Sequence, residues 1–181
     1  FPACALTSLQ QKQPENCAKA KVGSGKAVAT AFNPADRTKV IAKRNCANLT
    51  VFNGGGGKLY LYIVTKPGDP ADASLNCTEP FVANTSILTG TLQSAPAPYS
   101  KKLVVPLSVP DPIPGAKIAL DRVKAKVSAS IKVKNKKTKK MVKVPYLAAP
   151  TTCTKAGWAF GYTSLGYPAG PLTTAGTTPC K

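Results

Sequence analysis

The chain contains no histidine. That removes the usual general base near neutral pH, every Ser–His–Asp or Cys–His arrangement, and the commonest nitrogen ligand for metals. Acids are scarce, with 7 Asp and Glu against 25 Lys and Arg, so few carboxylates are left to pair for acid–base chemistry. The formal net charge is +18. Arginine is scarce within the basic set, occurring only at Arg37, Arg44 and Arg122. Long apolar runs are missing too. The longest strongly apolar, uncharged stretch is Leu59 to Thr65, far short of the ~20 residues a membrane-spanning helix needs. These absences point away from an enzyme, a bound cofactor, a metal centre and a membrane span.

What is present suits a folded, turn-rich chain. Hydrophobic residues make up 43% of 181 residues, more than an intrinsically disordered composition carries. Gly and Pro number 14 and 17, a density that favours many short strands over long helices. Cys4, Cys17, Cys46, Cys77, Cys153 and Cys180 include no CxxC pair, and their wide spacing suits disulfides better than zinc. Six cysteines allow fifteen pairings. Because short loops close most easily, the sequential set Cys4–Cys17, Cys46–Cys77 and Cys153–Cys180 is favoured. Disulfides imply an oxidising compartment, and hence secretion. The first residue is Phe, so the chain reads as processed, truncated or incomplete.

Period-two alternation dominates. Strands are expected over 27–33, 38–42, 49–52, 58–65, 81–92, 102–109, 122–134, 140–146, 158–164 and 172–178. Asn53 to Gly57 joins two of them as a hairpin turn, because Gly supplies the positive φ that such turns need. Pro106 suggests an edge position or a bulge, since proline donates no ladder hydrogen bond. The segment Arg122 to Lys134 alternates Val123, Ala125, Val127, Ala129, Ile131 and Val133 with lysines and serines, one face for a core and one for water. The best helical segment is short, Ala5 to Gln13. The expectation is an all-β antiparallel β-sandwich stapled by disulfides, with one short N-terminal helix. It forms a single domain over 1–181, and 110–115 is the place for any boundary. Its core should include Val28, Phe32, Leu61, Ile63, Leu92, Val123, Val127, Ile131, Val144 and Trp158.

Two stretches imitate phosphate loops. VGSGKA around Lys26 and NGGGGKL around Lys58 lack the Ser or Thr after the Lys, so both are read as turns. Asp69 and Asp72 share a loop, but two carboxylates without a third make a poor Ca²⁺ site. A Lys–Asn isopeptide bond assisted by Glu15 or Glu79 has no local support. Asn48, Asn76 and Asn84 each begin an N-x-Ser/Thr triplet. Tyr60, Tyr62, Tyr99, Tyr146, Trp158, Phe160, Tyr162 and Tyr167 suit packing better than a carbohydrate platform. Lys117 to Lys143 carries ten Lys and one Arg, with only Asp121 opposing. Polyanion contact is expected through Lys124, Lys126, Lys132, Lys134, Lys136, Lys137, Lys139 and Lys140. Specific nucleic-acid recognition is not expected, because arginine is rare and no aromatic residue is interleaved with these lysines.

FPACALTSL, CAKAKVGSGKAVA, LTVFNGGGGKLYLY, a Lys-rich hairpin followed by YLAAPTTC, and the final CTKAGWAFGYTS…TTPCK run in that order. Together they resemble an uncharacterised group of predicted secreted β-rich proteins of Gram-positive bacteria. The resemblance implies Cys4–Cys17 and Cys153–Cys180, whereas Cys46–Cys77 is less typical of the group. It also implies further β-rich residues ahead of Phe1, whose absence leaves a sheet edge open to a neighbour's strand. The functional expectation is a non-enzymatic extracellular structural protein, a self-assembling homopolymer subunit of a surface filament or cell-envelope layer. A binding module for an anionic surface polymer (polysaccharide, teichoic acid or nucleic acid) is the alternative.

Overall fold

The computed structural model describes residues 1–33, 35–36, 38–80, 82–97, 101–106, 117–147, 157–164 and 172–179. The chain divides into two compact units, Phe1–Leu92 with Leu103–Leu147, and Gln93–Lys102 with Ala148–Lys181. The expected boundary at 110–115 lies outside the described residues.

The chain opens with a short helix, α1 (Leu6–Gln10), and a 3-10 helix (Pro14–Ala20). Then come β1 (Lys21–Phe32), β2 (Val40–Gly55) and β3 (Lys58–Thr65), followed by a second 3-10 turn at Ala73–Leu75. Next are β4 (Asn84–Ser94), β5 (Lys101–Val104), β6 (Lys117–Val127), β7 (Ser130–Lys134) and β8 (Met141–Pro145). Six strands form one antiparallel half-barrel sheet in the order β5-β4-β3-β2-β1-β6, and β7 pairs with β8. In the second unit, β9 (Trp158–Ser164) and β10 (Leu172–Thr178) pair antiparallel, with Trp158 opposite Thr178. The fold is therefore mostly β.

Alternation along the central strands sorts two apolar layers onto opposite faces of the sheet. Leu49, Val51 and Leu59 are buried on one face with Val22, and Leu61, Ile63, Leu92 and Val127 pack against them. Phe52, Tyr60 and Tyr62 are buried on the other, under Leu9, Ala20 and the Cys4–Cys17 bridge. The opening helices thus act as a lid on one face of β2 and β3. The bridge that fixes them has a Cα–Cα distance of 5.1 Å. Cys46–Cys77, at 5.2 Å, ties the β3–β4 connection back to β2. There Cys46 and Cys77 bury Val28 and Leu75.

Two glycines set the curvature. A Cβ on Gly23 would run into the Lys126 carbonyl oxygen, and one on Gly25 into that of Lys124. Only a residue without a side chain lets β6 fold this closely onto β1, as at a barrel corner. At the β2–β3 turn, Gly55, Gly56 and Gly57 all have positive φ, as the sequence leads one to expect.

Several expected core positions differ. Val28 is fully buried, and Leu61, Ile63, Leu92 and Val127 pack onto the core. Phe32 and Ile131 are half-buried. Val123 and Val144 are exposed, at 43% and 38%. The cause is the position of their strands: β6 ends the six-stranded sheet, and β8 sits in a two-stranded ribbon. The side chain of Trp158 lies outside the described residues. The expected single strand over 122–134 breaks at Ser128 and Ala129, whose N–H groups both donate to the Val22 carbonyl instead of continuing the ladder. Pro106 follows β5, an edge strand, where a missing donor costs nothing.

Candidate functional site

The expected polyanion-binding lysines fall into two groups. Lys132, Lys134, Lys136, Lys137, Lys139 and Lys140 belong to the β7–β8 hairpin, where all are exposed. Its tip is tightly built. Asn135 Oδ1 accepts from the N–H groups of Lys137 and Thr138, and Asn135 N–H donates to the Lys140 carbonyl at 2.8 Å. Lys132 stands directly opposite Lys143 across the ribbon. The hairpin is anchored through Tyr146. Its N–H donates to the Ala129 carbonyl, its hydroxyl donates to Asn53 Oδ1 at 3.0 Å, and its ring meets Phe1 edge-on at 4.9 Å. Burial pushes the Tyr146 phenol above its ordinary pKa.

Lys124 and Lys126 lie elsewhere, on β6. With Ser24 and Lys26 of β1 and Asp72 and Ser74 of the β3–β4 connection, they line an open groove of about 390 Å³. Sequence reasoning missed Lys26, Ser24 and Ser74, which come from segments far apart in the chain. The only available signal was alternation in β1, and Gly23 and Gly25 hide it.

The groove wall is fixed from several sides. Lys26 Nζ donates to Asp72 Oδ2 at 2.9 Å. Asp72 Oδ1 accepts from the N–H and hydroxyl of Ser74, at 3.0 and 2.6 Å. The Ser74 hydroxyl bond and Lys26 hold the Asp72 carboxyl down at a pKa of about 2. Arg44 donates to the carbonyls of Leu75 and Asn76, and Cys46 N–H donates to the Thr78 carbonyl at 2.9 Å. The connection is thus clamped onto β2 beside its disulfide. Asp121, the one acid in the basic segment, accepts from Thr30 Oγ1 at 2.6 Å.

The other residues singled out from sequence are placed as follows. Asp69 accepts from Asn48 Nδ2, so it and Asp72 have separate partners. Among the described residues no cluster of three acid, Cys or His side chains gathers to hold a metal. Glu79 accepts from Gly68 N–H, and Glu15 sits in the first turn of the opening 3-10 helix. Tyr60 and Tyr62 are buried in the core. Cys153, Cys180, Tyr99 and Tyr167 lie outside the described residues, and so do the side chains of Phe160 and Tyr162. Asn76 adopts the left-handed conformation at φ 51°, and Asn84 opens β4.

Two disulfides point to an oxidising, extracellular environment. Among the described residues no helix is long and apolar enough to cross a membrane. No protein-family model matches the chain, and no curated protein or solved structure is significantly similar to it.

Proposed function

We propose that the chain is a non-enzymatic extracellular structural protein, a subunit of a homopolymeric surface filament or cell-envelope layer. In this reading the β-rich chain completes an antiparallel sandwich and adds strands between copies. The resemblance to secreted β-rich proteins of Gram-positive bacteria belongs to the same reading.

One observation carries it. Among the described residues β6 is the last strand of its sheet, and an edge strand offers backbone donors and acceptors to a strand laid beside it. The strand and the ribbon that follows also expose apolar side chains, Val123, Val133, Val142 and Val144, each at least a third open. Monomeric proteins usually cover or charge such an edge. Here the charge lies on the alternate face.

The test is Val123→Lys with Val144→Lys. Both side chains are exposed, so the folded subunit tolerates the change. Sedimentation at rising concentration should show wild-type protein forming large species and the double variant remaining monomeric, with unchanged circular dichroism. A double variant that assembles like wild type contradicts the proposal.

A further inference from the structure

Strand register concentrates positive charge in the groove between β1 and β6. Lys26 stands directly opposite Lys124, and Ser24 directly opposite Lys126. Like charges facing each other across a strand pair destabilise it. Three ammonium groups therefore share a groove in which Asp72 supplies the carboxylate, and Asp72 is engaged by Lys26 at 2.9 Å. Asp121 does not relieve them, because it is held by Thr30. The unrelieved charge marks a place for an external anion.

The rest of the lining narrows the chemistry. Ser24 and Ser74 bring hydroxyls, and Asp72 Oδ2 accepts from Lys26 with a lone pair to spare. A bare phosphate polymer gains nothing from a carboxylate beside its anion. A sugar acid offers both partners, a carboxylate for the lysines and hydroxyl donors for Asp72 and Ser74. Among the described residues no aromatic side chain lines the groove, so a stacking platform for nucleobases is missing. The volume, about 390 Å³, falls within the range of small-ligand sites and suits one or two sugar units.

We infer that this groove binds the carboxylate-bearing sugar units of an acidic polysaccharide, with Lys124 and Lys126 contacting the anion. The Lys26–Asp72 pair positions the sugar hydroxyls. The site goes beyond self-assembly and is separate from it, because Lys124 and Lys126 alternate along β6 with Val123 and point to the other face.

The experiment titrates oligogalacturonate, inorganic polyphosphate and neutral dextran into the full chain by calorimetry. It compares wild type, the groove variant Lys124→Gln/Lys126→Gln and the hairpin variant Lys136→Gln/Lys137→Gln, which has the same net charge as the groove variant. Oligogalacturonate should bind wild type and lose about tenfold or more in affinity in the groove variant. The hairpin variant should stay within about threefold of wild type, as for exposed charges. Ligand-free, the groove variant should melt no lower than wild type, because a like-charge contact has been removed. The single variant Lys124→Gln reads in the same direction if the double variant does not fold. Equal losses in both double variants would reduce the effect to bulk charge and overturn the site. So would binding of polyphosphate without oligogalacturonate, or of neither. Sedimentation of the same variants reads assembly separately, so failure of one idea is distinguishable from failure of the other.

Discussion

Asn53 fills every hydrogen-bonding position of its side-chain amide. Its Nδ2 donates to the carbonyls of Phe1 and Pro2, and its Oδ1 accepts from Gly55 N–H and the Tyr146 hydroxyl. The residue is buried, so Asn53→Ala leaves the tyrosine hydroxyl and the Pro2 carbonyl without their partner. The expected loss of stability is about 2 kcal/mol or more by urea denaturation; a loss below about 0.5 kcal/mol contradicts this role. Asp72 gives a second prediction. Its folded pKa, about 2, lies below the ordinary 3.8. Its contribution is therefore complete above about pH 4 and disappears as pH falls toward 2. Wild-type melting temperature should drop across that window, and Asp72→Asn should drop less; equal drops would show that the carboxylate is not responsible. Neither role could be read from sequence alone. Asn53 reads only as a hairpin residue and Asp72 only as a loop acid, because their partners at Tyr146 and Lys26 are distant in the chain.

Strands are the most legible elements. β3, β9 and β10 fall over 58–65, 158–164 and 172–178 as expected; Trp158 to Ser164 switches between bulky and small residues, and Leu59 to Thr65 is an unbroken run of apolar, aromatic and β-branched residues after a glycine turn. β1 extends back to Lys21 across Gly23 and Gly25, where no side chains exist to alternate. The 3-10 helix Pro14–Ala20 is equally hidden, since it is held by its lid position over Tyr60 and Tyr62 more than by any period. The break between β6 and β7 comes from a long-range pair of bonds to Val22, which the unbroken alternation of Arg122 to Lys134 conceals. At this scale Gly25→Ala is the informative change. Its methyl group meets the Lys124 backbone, so the sheet must open or β6 must move, at a cost of about 1 to 3 kcal/mol. Unfolding midpoints measure it, and an unchanged midpoint would show that β6 does not approach β1 this closely.

At the scale of the whole molecule, the proposed role is mechanical. Two disulfides reinforce the covering of one face of the six-stranded sheet near β2, the first fixing the opening helices and the second the β3–β4 connection. Among the described residues the sheet ends in β6, where Val123 is exposed. Composition alone pointed to β structure, oxidised cysteines and a Lys-rich exterior. It did not show that, on the apolar side of Arg122 to Lys134, Val123 and Val133 stay exposed while Val127 and Ala129 pack onto the core, because alternation marks which residues share a face and not what covers that face. Strand addition at β6 predicts a local signature. Backbone amide hydrogen exchange should be compared between dilute and concentrated protein, residue by residue. Slower exchange along Lys117–Val127 at high concentration, with the central strand β3 unchanged, is the expected result. Exchange in that strand that stays equally fast at both concentrations, with a single monomeric species throughout, would contradict assembly through this edge.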